Sequence, residues 1–195
     1  MNRIIIFLTF LSVFLINKTS SQSFDIYSES IYLKDFNYNT KTSNSSVNFA
    51  KSVKIEHETN ELLDPIIGLN TTEKLKLSFD ILASEATTYA YTFIHCNSDW
   101  QHSDITQSEY LNGFFDNYIN NFEYSFNTLT PYVNYNIAFP NEDIQFTKSG
   151  NYVILIYDTE NNIPVLSKRF MIYEDILNIE MFVKIPSLAQ DRKEK

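Results

Sequence analysis

The chain has 195 residues and a mass of 22.8 kDa, with 44% hydrophobic residues, 15% aromatic residues and a formal net charge of −9. That length fits one domain, or a domain and part of another, and the apolar content excludes wholesale disorder. The acidic balance excludes a basic nucleic-acid face, one Cys excludes an intrachain disulfide and a multi-Cys zinc site, and 3 Gly leave no glycine-rich phosphate loop.

The first segment reads as an address. A short basic start, Met1-Asn2-Arg3, precedes an apolar run over Ile4–Ile16, and small polar residues follow. This is the three-part pattern of a secretory signal, and it falls short of the roughly 20 apolar residues a spanning helix needs. Thr19 and Ser21 suit a small-x-small cleavage site, so residues 1–21 are expected to be a cleaved signal peptide. Losing Arg3 and Lys18 leaves 13 basic and 24 acidic residues, a net charge of −11. An exported acidic chain with one Cys suits a bacterial envelope better than a disulfide-stapled secreted domain.

Residues 22–50 form a polar N-terminal segment rich in Ser, Asn, Thr and Tyr, with a possible strand at Ile31-Tyr32-Leu33. From Lys51 the two-residue period strengthens. Val53, Ile55 and His57 alternate with Lys54 and Glu56; Leu75, Leu77 and Phe79 alternate with Lys74, Lys76 and Ser78. Tyr89, Tyr91, Phe93 and His95 share one face of a further strand. Phe122, Tyr124, Phe126 and Thr128 repeat the pattern, as do Tyr135, Ile137 and Phe139, which stop at Pro140. Tyr152–Tyr157 is continuously apolar, the mark of a strand covered on both faces. Leu166–Tyr173 and Ile176–Val183 complete the series, and no window carries a long helical stripe. Seven or eight short strands with turns predict an all-β protein, an antiparallel β-sandwich of immunoglobulin-like type. Tyr152 after Ser149-Gly150 fits a tyrosine corner, or simply a core Tyr after a turn.

Residues 97–121 form an unusually long connection between strands, aromatic through Trp100, Tyr110, Phe114, Phe115 and Tyr118. It is expected to fold over the sandwich, with a helical turn near Ser108–Leu111. His95, Cys96, Asp99, His102 and Asp104 cluster here and invite a metal or hydrolase hypothesis. Successive strand residues point to opposite faces, so His95 and Cys96 cannot share an ion; Asp99, His102 and Asp104 remain as candidate ligands, in a spacing that matches no standard zinc pattern. Cys96 reads as a buried thiol rather than a nucleophile. Asp80 and Glu142-Asp143 are carboxylates with no partner at a defining spacing, and Ser125, Ser149 and Ser167 lack a nucleophile-elbow setting. Trp100, Tyr110 and Phe114 could form an exposed aromatic platform for a partner or a sugar. Asp191–Lys195 reads as a solvated charge run.

One set of motifs is more specific. His95-Cys96-x-x-Asp99-Trp100-Gln101-x-Ser103-Asp104, followed by Ser108-Glu109-Tyr110-Leu111-x-Gly113-Phe114, resembles the plug proteins of the type IX secretion system. Leu75-x-Leu77-Ser78-Phe79-Asp80, Tyr124-Ser125-Phe126-Asn127-Thr128, Phe139-Pro140-Asn141-Glu142 and Ser149-Gly150-Asn151-Tyr152 fit in order, so the resemblance covers about residues 53–183. It implies a non-enzymatic periplasmic β-sandwich, peripheral to the outer membrane, that associates with a giant translocon barrel and closes its opening, without cofactor or metal. It also implies a second β-rich domain further on. Residues 51–183 would then be the first domain and 184–195 a linker toward a missing part, the 195 residues being a fragment or a truncated product. The candidate partner-binding residues are Trp100, Gln101, Glu109, Tyr110 and Phe114. The alternative function is an exported carbohydrate-binding sandwich using Trp100, Tyr110 and Phe114.

Overall fold

The computed structural model describes residues 36–37, 50–177 and 180–182. The expected signal peptide, the strand at 31–33 and the charged tail lie outside the described residues. Two sheets face one another. Sheet A has the order β1-β12-β11-β5-β7, formed by Phe36–Asn37 (β1), Ile163–Tyr173 (β12), Gly150–Asp158 (β11), Tyr89–Cys96 (β5) and Asn117–Tyr118 (β7). Ile66–Gly68 (β3) adds to β12 in parallel, a departure from the all-antiparallel expectation. Sheet B has the order β2-β4-β9-β8, from Ala50–His57, Leu75–Ile81, Val133–Phe139 and Phe122–Tyr124. A small ribbon pairs Leu111–Gly113 (β6) with Ile144–Phe146 (β10). The fold is therefore the expected β-sandwich.

The core follows from the alternation. β4 and β9 alternate buried with half-buried residues along their whole length, so one face of sheet B is apolar. β11 lies between β5 and β12 and is buried on both faces from Tyr152 to Ile156, as its continuous apolar run predicts. The inner faces meet through aromatic rings. Phe93 packs against Phe139 and Phe146, both at 5.0 Å, and Tyr89 against Tyr135 at 5.1 Å. Aromatic pairs of this kind, edge-on for Phe93–Phe146 and Tyr89–Tyr135 and tilted for Phe93–Phe139, add about 0.5–1.5 kcal/mol each beyond area burial. β9 thus stacks on β5, which puts the sheet-B edge strand β8 and the sheet-A edge strand β7 on one flank. His57 ties the opposite side together, its Nε2 lying 2.7 Å from the Ile66 carbonyl oxygen. Tyr152 donates to the Lys148 carbonyl at 2.7 Å, the hydrogen bond that defines a tyrosine corner.

Two strand expectations need correction. Phe122–Thr128 was read as one strand, but β8 stops at Tyr124. Ser125 turns the chain: its Oγ accepts from Tyr132 N–H at 2.9 Å and from Thr128 Oγ1 at 3.0 Å, and Asn127 takes φ 53°. The strand expected over 176–183 is also absent among the described residues: Ile176, Leu177, Met181 and Phe182 are irregular and exposed. Alternation alone does not make a strand where no neighbour accepts its backbone groups.

Candidate functional site

The long connection begins with an Asn-capped turn. Asn97 Oδ1 accepts from the N–H groups of Asp99 and Gln101, and the Asn97 carbonyl accepts from Trp100 N–H at 3.1 Å. Trp100 sits at φ 59°, which folds its indole back onto the outer face of sheet A. There it packs on Ile94, Cys96, Val153 and Leu155, with the Arg169 guanidinium 4.3 Å from the ring centroid. The chain then runs along the edge of β5. Ser103 N–H donates to the His95 carbonyl at 3.1 Å, and Gln107 Nε2 donates to Thr92 Oγ1 at 2.9 Å. Thr106 and Glu109 form a capping box on the single helical turn α1, Gln107–Tyr110, close to the turn expected at Ser108–Leu111.

Tyr110 closes the edge. It is fully buried and donates its hydroxyl to the Phe93 carbonyl at 3.0 Å. Gly113 follows at φ 117°, where a Cβ would lie 2.0 Å from the Asp143 carbonyl oxygen; only glycine fits. The aromatic loop therefore protects a sheet edge and a sheet face.

The five candidate partner residues separate accordingly. Tyr110 belongs to the core, and its burial removes it from any docking surface. Trp100 is half-buried against Cys96, Gln101 is exposed, Glu109 is exposed but engaged in its cap, and Phe114 is 69% exposed. With Tyr110 buried, the three-ring sugar site loses its central ring. No group of three His, Cys, Asp or Glu residues among those described is arranged to hold a metal ion. Burial pushes the Cys96 thiol up to about 11, only partly offset by Arg169, which disfavours the thiolate a nucleophile needs. His95 is structural. Its Nε2 lies 3.3 Å from the Ser149 carbonyl, which fixes the proton there, and its Nδ1 lies 2.8 Å from Ser103 Oγ. Burial holds its pKa below the usual imidazole range, against the opposing pull of the Ser149 carbonyl.

A different surface was missed. Tyr118, Phe122, Tyr124, Phe126 and Leu129 are all exposed on the β7–β8 flank and the hairpin after it, with Phe126 at 93%. The two-residue period of Phe122, Tyr124 and Phe126 signalled a strand with an apolar face; it carried no sign that this strand would end at a margin. The charges are also segregated. Residues 77–147 contain no Lys or Arg, whereas Lys51, Lys54, Lys168 and Arg169 lie on β2 and β12. At one end of the sandwich an open cleft of about 460 Å³ lies between the 67–74 turn, Pro140–Glu142, Phe146 and Ile172. Glu73 lines it and accepts from Gly68 N–H at 2.8 Å.

Comparison with known proteins adds the following. A sequence model described as the type 9 secretion system plug protein 1st domain matches residues 50–174. Among solved structures, the chain is similar to the crystal structure of a hypothetical protein from Parabacteroides merdae. The two are 35% identical with a TM-score of 0.62, over 63% of this chain and 31% of that one. The chain thus spans under a third of that protein's length. No curated protein matches.

Proposed function

The chain belongs to the family of type 9 secretion system plug protein first domains, and from that premise we propose that it is a non-enzymatic, periplasmic part of that system, associating with the outer-membrane translocon barrel and closing its pore. The observation that carries this reading is the match over residues 50–174, which spans both sheets of the sandwich. The mechanism is steric. A sandwich with a densely packed interior does not deform to let solute pass, and it blocks an opening against which it is held. An acidic, polar surface suits a barrel whose interior is polar. Among the described residues no helix is long and apolar enough to cross a membrane, so membrane association would run through the partner. Phe114, Gln101, Glu109 and the half-buried Trp100 remain candidate contacts.

The test is an affinity pull-down of the tagged gene product from native envelope extract, with mass spectrometry of the co-purifying proteins. Recovery of a very large outer-membrane barrel protein supports the reading. A soluble, abundant bait that brings down no barrel sinks it.

A further inference from the structure

Sheet B ends on β2 at one margin and on β8 at the other, and among the described residues no further strand pairs with β8. Its partner strand β9 pairs with β8 in the register Phe122↔Tyr135, Glu123↔Asn134, Tyr124↔Val133. The flanking bonds Asn136 N–H to Asn121 O and Ser125 N–H to Tyr132 O set the phase of the ladder. By alternation, Glu123 also bonds inward, and the N–H and C=O groups of Phe122 and Tyr124 point away from β9. Among the described residues nothing accepts or donates to them.

The cross-strand rows say what the next strand should carry. On the inner face, Phe79, Tyr135 and Phe122 form one row and Ile81, Val133 and Tyr124 another. Both rows end on an exposed aromatic ring: Phe122 leans on Tyr135 at 5.8 Å and on Tyr124 at 5.8 Å, and no strand of the described residues lies beyond them. On the outer face the row between these two reads Lys51, Asp80, Asn134, Glu123, with Asn134 Nδ2 donating to Asp80 Oδ1 at 2.7 Å. That row starts on Lys51 of β2 and ends three strands away on an anion; residues 77–147, which supply β8 and β9, contain no Lys or Arg. Opposite charges side by side across a ladder stabilise it and like charges weaken it.

We propose that β8 is a docking edge that receives an extended strand of another protein, patterned apolar–basic–apolar, by β-augmentation. The added strand would pair with the outward backbone groups of Phe122 and Tyr124. Its apolar residues would extend the two inner rows, and its Lys or Arg would lie beside Glu123. The exposed hairpin residues Phe126 and Leu129 would flank it. A second copy fits less well. Two β8 edges centred on each other would set Glu123 against Glu123. Pairing β8 with the β2 of a second copy would be head-to-tail and non-closing, against a margin broken by a bulge at Ser52, φ 51°. This inference rests on the reading above only in taking the partner to be a protein.

The test uses the buried state of Cys96. Asn120→Cys places the one exposed thiol beside β8, and a maleimide-benzophenone attached there is photolysed in native envelope extract. Crosslinked peptides are identified by mass spectrometry, with Lys54→Cys on β2 as the control. The expected product is a peptide of another protein with apolar–basic–apolar alternation. Glu123→Lys in the same labelled chain should lower the yield about threefold to tenfold. Tyr124→Pro, which deletes an outward N–H and no ladder bond, should lower it more than Tyr124→Ala. Thermal melts of each variant establish folding. Capture of a peptide without that alternation, capture of a second copy, equal capture from Lys54→Cys, or a yield indifferent to Glu123→Lys overturns the inference. No crosslink from a chain that still recovers the barrel in the pull-down overturns it and leaves the proposed function standing.

Discussion

Two edges on the same flank of the sandwich are treated in opposite ways. The edge of β5 is sealed: β7 pairs with its first half, and Ser103, Gln107 and Tyr110 satisfy the second half from the long connection. The edge of β8, one sheet away, carries the same kinds of side chain and has no such cover among the described residues. Tyr110 and Phe122 are both aromatic residues at a sheet margin; one is fully buried and the other 38% exposed. Exposed strand edges promote association, and chains commonly cover, charge or shorten them. Here one margin received an aromatic loop, while the other is short, bears one Glu and among the described residues has no covering strand or loop. The contrast separates residues that hold the fold from residues available to a partner.

Breaking the seal should produce the largest effects. Tyr110→Ala removes a buried ring and its hydroxyl contact, and should destabilise the domain by about 3–5 kcal/mol in chemical denaturation. Gly113→Ala forces a Cβ onto the Asp143 carbonyl at positive φ; a loss above ~1 kcal/mol is expected, seen as a lower melting temperature. Tyr110→Phe keeps the ring and deletes only the bond to Phe93, so ~1 kcal/mol is expected. If Tyr110→Phe costs as much as Tyr110→Ala, the hydroxyl rather than the ring is the seal.

At the open margin the same chemistry should be nearly silent. Phe126→Ala should change stability by under about 0.5 kcal/mol, because the ring is 93% exposed. A loss of ~2 kcal/mol or more in the isolated domain would mean that this residue is structural and that the contrast between the margins fails. The smallest effect concerns pH. Burial lowers the His95 pKa in the folded state, so the unfolded chain binds the proton more readily. The contribution of this residue to stability is complete above about pH 6.5 and is lost as pH falls below it. Melting temperatures measured from pH 7.5 down to 5 should fall in the wild type and fall less in His95→Gln.

The strands with both a clear period and an interior place were legible. β4 and β9 show strict alternation and are the middle strands of sheet B; β11 shows a continuous apolar run and is central in sheet A. What failed did so at margins. Phe122–Thr128 has as good a period as Leu75–Phe79, yet only three of its residues form a strand, and they lie outside the core. β3, β6, β7 and β10 are two or three residues long, too short for a period to register. The motif stretches were legible as a family signature, but most of their residues prove structural: Tyr110 seals, Gly113 allows a close approach, Asn97 builds the turn and His95 orders Ser103 and Ser149.

The chain's own pattern of side chains decides that it forms a β-sandwich, because alternation with period two can bury one face of a strand and little else. It also decides the acidic charge and the lack of Lys and Arg between residues 77 and 147. Which apolar face becomes core and which becomes surface is settled only when strands find neighbours. Burial depends on the element across the sheet and the strand alongside, and a local pattern specifies neither. Tyr110 and Tyr124 differ in no local respect that would send one inside and leave the other out. The first meets the Phe93 carbonyl beneath a loop, and the second is the last residue of the last strand in its sheet.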